Sequence, residues 1–176
     1  MSPWIIQGIG FVGMLFFLLS YQTRSNRGLF LCQMLGCSAF IVQFGLMGAL
    51  SGCGSLAICT ARNLLLFKAG DWPWVKSKVT LGVVLTALLA VLILTWAGPI
   101  SLLAFVGVAV SSVAYWTNNP QKIRLSQLAC NSPCALLYDL LVGSWGGVVS
   151  ECISMGSILL SIYRFGWKNL DRTEQA

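Results

Sequence analysis

The chain has 176 residues, of which 57% are hydrophobic and only 9% charged, where an ordinary soluble domain carries about 25% charged residues. So little charge cannot keep a surface in water, so the solvent of this chain is lipid. That excludes a secreted disulfide scaffold, a disordered tail, an ordinary cytosolic enzyme and, despite a net charge of +6, a nucleic-acid-binding module.

Catalysis is poorly supplied as well. There is no histidine, the commonest acid–base group and metal ligand, and the only acids are Asp71, Asp139, Glu151, Asp171 and Glu174. We therefore expect no enzyme activity, no metal and no cofactor. The seven cysteines, Cys32, Cys37, Cys53, Cys59, Cys130, Cys134 and Cys152, are odd in number, form no CxxC and sit in apolar runs. They read as small buried hydrophobes. The start, Met1-Ser2-Pro3-Trp4, has no basic region, so no cleaved signal peptide is expected.

Polar and Gly/Pro breaks divide the chain into apolar stretches at about 3–20, 29–47, 50–68, 79–96, 99–116, 125–142 and 147–166. At 1.5 Å per residue each is long enough to cross a hydrocarbon core near 30 Å thick. They lack the alternation of barrel strands. The predicted fold is all-α, with seven transmembrane helices. Arg24 and Arg27 follow the first helix, Lys68, Lys76 and Lys78 the third, Lys122 and Arg124 the fifth, and Arg164, Lys168 and Arg172 the last. All fall on one side, which the positive-inside rule makes cytoplasmic. The N-terminus is then outside and the C-terminus inside a bacterial inner membrane.

An internal repeat accompanies this pattern. A shift of 94 pairs Phe11-Val12-Gly13 with Phe105-Val106-Gly107, Tyr21 with Tyr115 and Gln33 with Gln127; one residue of slip then pairs Gly48 with Gly143 and Gly52 with Gly147. Helices 1–3 correspond to helices 5–7, and helix 4 is the extra crossing that makes the two copies parallel. The expected units are a first triple-helix bundle at 1–68, a linker with the inverting helix at 69–98, a second bundle at 99–166 and a cytoplasmic tail at 167–176. Parallel repeats of this kind place substrate paths at their interface.

Polar residues within spans are costly and mark function. Arg62 either snorkels to the headgroups or faces the bundle. With Asn63, Gln33, Gln127 and Asn131 it forms a candidate substrate-binding layer towards the cytoplasmic side. Pro133 removes a backbone donor from helix 6 and is a candidate gating point. Asp139 and Glu151 form a candidate outer vestibule. Tyr115 and Trp116, at the cytoplasmic end of helix 5, are candidates for an exit gate, with membership of the interfacial aromatic belt as their alternative. Trp4, Trp72, Trp74, Trp96 and Trp167 read as belt residues. Gly8-x-Gly10-x-x-Gly13 matches a dinucleotide fingerprint only as a string, because no strand precedes it.

Gly10-Phe11-Val12-Gly13, the Gln33-x-x-Gly36 start of helix 2, the glycines around Gly48, and Arg62-Asn63-Leu64 resemble the YgjV-type family of small bacterial inner-membrane proteins over nearly the whole chain. The 3+1+3 plan is similar in architecture to SWEET/PQ-loop and PnuC transporters. The resemblance implies the SWEET-like fold of two parallel triple-helix bundles. It implies a substrate position at Asn63, whose repeat counterpart Ile158 is apolar. Pro120-Gln121 reproduces a Pro-Gln pair in the loop before helix 6. The expected function is a transporter or facilitator of a small polar solute, working by alternating access. The alternative is a non-transporting membrane receptor or assembly protein. The expected partners are the lipid bilayer and the solute, not nucleic acid; homo-oligomerisation is left open.

Overall fold

The computed structural model describes residues 3–22, 26–117 and 119–165. Among these the chain is entirely helical: α1 Pro3–Gln22, α2 Asn26–Met47, α3 Leu50–Phe67, a 3-10 turn Pro73–Lys76, α4 Lys78–Leu94 and α5 Ile100–Trp116. A sixth helix, α6, is built from Pro120–Ser126, a π turn Gln127–Asn131 and Ser132–Val142, and α7 runs Trp145–Phe165. The sequence-predicted tail at 167–176, with Trp167, Lys168 and Arg172, lies outside the described residues, as do Arg24 and the side chains of Tyr21, Arg27 and Arg164.

Local chemistry sets the ends. The Ser77 hydroxyl accepts from Thr80 N at 3.2 Å to cap α4. Helix α6 begins earlier than the expected residue 125. The Asn119 side chain accepts from Gln121 N and Lys122 N at 2.9 and 3.1 Å, and Pro120 occupies the first turn, where a missing N–H costs nothing. Pro120-Gln121 is therefore the start of a helix rather than a loop. The turns into α3 and α7 share one device. Gly48 and Gly143 adopt φ of 74° and 80°, a left-handed conformation that glycine takes without a side-chain clash. In α6 the π turn lies just before Pro133, which has no N–H to give to the preceding turn. Pro133 faces outwards, while its neighbour Ser132 is buried.

Six helices close a ring. Helix α1 packs on α2 and α7, α2 on α3, α3 on α5, α5 on α6, and α6 on α7. Helix α4 lies outside the ring against both α3 and α5, burying Val84, Leu88 and Leu92. Glycines permit the close approaches. Gly13 and Gly36 meet where α1 crosses α2, and a Cβ on Gly107 of α5 would lie 3.0 Å from the Asn131 side chain and 3.3 Å from Cys134 of α6. A Cβ on Gly146 would lie 3.0 Å from the Gly10 backbone, so α1 and α7 touch main chain to main chain.

The ring is polar inside and apolar outside. Gln33, Gln43, Arg62, Asn63, Ser111, Ser112, Gln127 and Asp139 are buried, while Val79, Val83, Leu94, Leu141 and Leu160 are each more than half exposed. A water-soluble fold has the opposite sense, and this one suits a lipid surround. Gly28–Met47, Leu50–Phe67 and Trp145–Tyr163 are each long and apolar enough to cross a membrane, and Trp4–Ser20, Lys78–Leu94 and Ile100–Trp116 are shorter helices of the same character. Trp72 and Trp74, on the 3-10 turn, stack with ring centroids 5.9 Å apart and stay exposed.

Candidate functional site

The ring encloses a cavity of about 90 Å³. One end points towards Lys68 and Lys122, the other towards the Gly48 and Gly143 turns. Every ring helix contributes: Phe17 from α1, Gln33 and Phe40 from α2, Leu56 and Arg62 from α3, Val108 and Tyr115 from α5, Asn131 and Asp139 from α6, and Glu151 from α7.

Arg62 organises the basic end. Its side chain is 2% exposed and turned into the ring, so the snorkelling alternative does not hold. The helix face explains this. Gly52, Ser55, Leu56, Cys59 and Arg62 recur every three or four residues and share one stripe, and all line the cavity. The guanidinium donates to Asn63 Oδ1 from Nε and Nη2 at 3.2 and 3.0 Å. It donates to the Ser111 and Ser112 hydroxyls from Nη1 at 3.2 and 3.0 Å, and to Cys59 Sγ from Nη2 at 2.9 Å. It also lies 4.2 Å from the centre of the Tyr115 ring, a cation–π contact. These five bonds use all five guanidinium N–H groups, and their acceptors are an amide, two hydroxyls and a thiol rather than a carboxylate.

Asn63 holds this arrangement from behind. It is fully buried, and its Nδ2 donates to Gln33 Oε1 at 3.4 Å. The Gln33 amide in turn meets the Tyr115 hydroxyl, Nε2 to Oη at 2.8 Å and Oη to Oε1 at 3.0 Å. Below this layer Phe30, Leu66, Tyr115 and Ile123 form a buried apolar plug drawn from α2, α3, α5 and α6, which closes the basic end. Ile158, the repeat counterpart of Asn63, is buried and brings no polar group.

The glycine end carries two further polar clusters. Gln43 Nε2 donates to Gln7 Oε1 at 3.3 Å, and Gln43 Oε1 accepts from the Ser144 hydroxyl at 3.4 Å. Gln7 also reaches Gly143 O and Gly146 N at 3.2 and 3.4 Å. On the opposite side the Tyr138 hydroxyl lies 3.0 Å from Ser51 Oγ and accepts from Gly52 N at 2.8 Å. Between these clusters lie Asp139 and Glu151. Asp139 is 5% exposed and packs on Gly147, and its Oδ1 has no hydrogen-bond partner. Glu151 lies near enough to interact with both Asp139 and Ser132, and the Ser132 hydroxyl closes no hydrogen bond.

The structure thus gathers Arg62, Gln33, Gln127, Asn131, Tyr115, Asp139 and Glu151 around one cavity, with Asn63 supporting it. It does not bring Trp116 or Pro133 there. Trp116 donates its indole N–H to Ser77 O at 3.1 Å, bracing α5 against the start of α4, and Pro133 faces away from the ring. Sequence reasoning missed Cys59, Ser111, Ser112, Gln7 and Ser51. Their signal was present as helical spacing from residues already singled out: Cys59 stands one turn before Arg62, and Ser111 one turn before Tyr115.

A family model described as bacterial inner membrane protein, Imp-YgjV, matches residues 4–169. No curated protein and no solved structure matches the chain.

Proposed function

We propose that this chain, which belongs to the Imp-YgjV family of bacterial inner membrane proteins, is a transporter or facilitator of a small polar solute, with no enzymatic step of its own. In this reading all seven helices cross the membrane, with α1–α3 and α5–α7 as two parallel halves and α4 as the crossing that joins them. The basic end is cytoplasmic, which puts the N-terminus outside. The halves rock about the central cavity to open it alternately to either side.

One observation carries the reading: the seam between the halves holds a polar cavity rather than a dry leucine interface. A purely structural helix ring in lipid gains nothing from burying a guanidinium and two carboxylates.

The two-halves part draws support from pairs of positions that behave alike. Gly48 and Gly143 both make left-handed turns. Gly13 meets Phe40 as Gly107 meets its counterpart Cys134. Gln43 of α2 bonds to the first turn of α7, and its counterpart Tyr138 of α6 bonds to the first turn of α3. Each half thus pins the outer end of the other.

The direct test is solute flux in proteoliposomes against a panel of small polar compounds. Uptake that needs the protein and is lost in Arg62→Gln supports transport. If no compound moves and a bound ligand changes only the conformation, the same fold is acting as a receptor.

A further inference from the structure

The cavity is electrically two-ended. At the basic end the Arg62 guanidinium is buried and held by amide, hydroxyl and thiol acceptors. Among the described residues its charge has no carboxylate within 4 Å, and Lys68–Asp71, at 4.0 Å, is an ion pair outside the cavity. A buried charge without an opposite charge is costly, and an anionic group in the cavity would supply one. At the other end Asp139 and Glu151 project from neighbouring helices into the same space. Asp139 Oδ1 is buried and unpartnered, and no cation stands against either acid among the described residues.

The two ends do not neutralise each other. Gly107 of α5 packs directly on Asn131 of neighbouring α6, Ser111 lies one turn from Gly107 towards the basic end, and Ser132 follows Asn131. The Arg62 partner Ser111 and the hydroxyl near Glu151 are therefore offset by about 7.5 Å of helical rise. Phe40, Leu56, Val108 and Ala135 add apolar surface to the cavity wall beside Ser55 and Asn131.

We infer that the cavity takes a small zwitterion, an amino acid with few methylenes, its carboxylate displacing the Cys59 thiol and the serine hydroxyls as acceptor of the Arg62 N–H groups and its ammonium against Glu151 and Asp139. This names the solute class and rests on the transport reading of the same cavity. A free anion meets the acids, a free cation meets the guanidinium, and a neutral sugar leaves both ends uncompensated. A zwitterion matches both charges and sets its hydrocarbon against the apolar part of the wall.

The test is equilibrium binding to the purified chain in phosphatidylethanolamine–phosphatidylglycerol nanodiscs, with labelled glycine, β-alanine and 4-aminobutyrate as probes. Propylamine, butyrate and glucose serve as single-ended or neutral competitors. At least one zwitterion is expected to bind at least tenfold tighter than every competitor. In Arg62→Gln, 4-aminobutyrate should fall to the level of propylamine; in Glu151→Gln it should fall to the level of butyrate.

No zwitterion binding, equal binding of the single-ended compounds, or variants with unchanged preference would each overturn the proposal. Should Arg62→Gln fail to fold, the Glu151→Gln arm and the wild-type competition decide alone. Binding without flux in vesicles would leave the site standing and remove the transport reading. Flux of another solute with no zwitterion binding would do the reverse.

Discussion

Replacing Arg62 with methionine removes the buried guanidinium and keeps most of the side-chain volume. The Ser111 and Ser112 hydroxyls lose a donor but remain bonded to Val108 O at 3.0 and 2.7 Å. Asn63 Oδ1 is orphaned, at about 1–3 kcal/mol for a buried acceptor, Cys59 Sγ, a weak acceptor, loses its Arg62 donor, and the stacked cation over Tyr115 forfeits about 2 kcal/mol. Against this, removing a buried charge without an ionic partner returns several kcal/mol.

The sum is close to zero, so Arg62→Met should fold and melt within a few degrees of wild type while losing function. Asn63→Leu is the contrasting change. It keeps the charge and strips two of its five hydrogen bonds, at about 1.5–3 kcal/mol each, which lowers the melting temperature by on the order of 10 °C. In the double variant most of that loss should return, because no charge is left to be unsatisfied. Thermal unfolding in detergent, followed by tryptophan fluorescence, measures all three. If Arg62→Met is as unstable as Asn63→Leu, or the double variant is the least stable of the set, the bonds around Arg62 hold the fold together and the reasoning fails.

Gly52→Ala and Gly147→Ala push a Cβ into Tyr138 and the Asp139 carboxyl respectively and should each cost about 1–3 kcal/mol in the same melts; Gly8→Ala and Gly82→Ala, with open space around them, should be neutral or stabilising by up to ~1 kcal/mol. Gly143→Ala puts a side chain at φ 80° and should lower stability by about 1–2 kcal/mol, whereas Gly143→Asn should recover part of that. Tyr138→Phe strips the acceptor from Gly52 N and the partner from Ser51, at about 1–3 kcal/mol. Hydrogen exchange should then show faster opening at the start of α3, with Lys78–Leu94 unaffected.

The helix boundaries were legible because Gly and Pro interrupt apolar runs, and the spans were found within a few residues. The exception was α6, where Asn119 and Pro120 together start a helix that hydropathy begins only at residue 125. The direction of Arg62 was not legible. In a helix whose every face is apolar, periodicity does not separate a lipid face from a ring face, and only the stripe Gly52, Ser55, Cys59, Arg62 carried that information. The serines were read as ordinary small helix residues, since nothing local shows that Ser111 and Ser112 stand opposite a guanidinium from another helix. Trp116 looked like a gate from its position at a helix end, but its indole N–H had a nearer claim in Ser77 O. Asp139 and Glu151 stood out as rare charges, and their sharing a cavity with Arg62 depends on the ring closing through α1 and α7.

The two seams of that ring are built differently. Where α3 meets α5, a third helix lies across the joint: Val84 and Leu88 of α4 pack with Val108 of α5 and with Ile58 and Leu65 of α3. Where α1 meets α7, no helix covers the joint; bare backbone at Gly10 and Gly146 touches, fastened at one end by the Gln7 amide. The molecule is bound like a book, with a stitched spine on one edge and a clasp on the other. Glycine-sized residues at positions 10 and 146 set how tightly that edge closes.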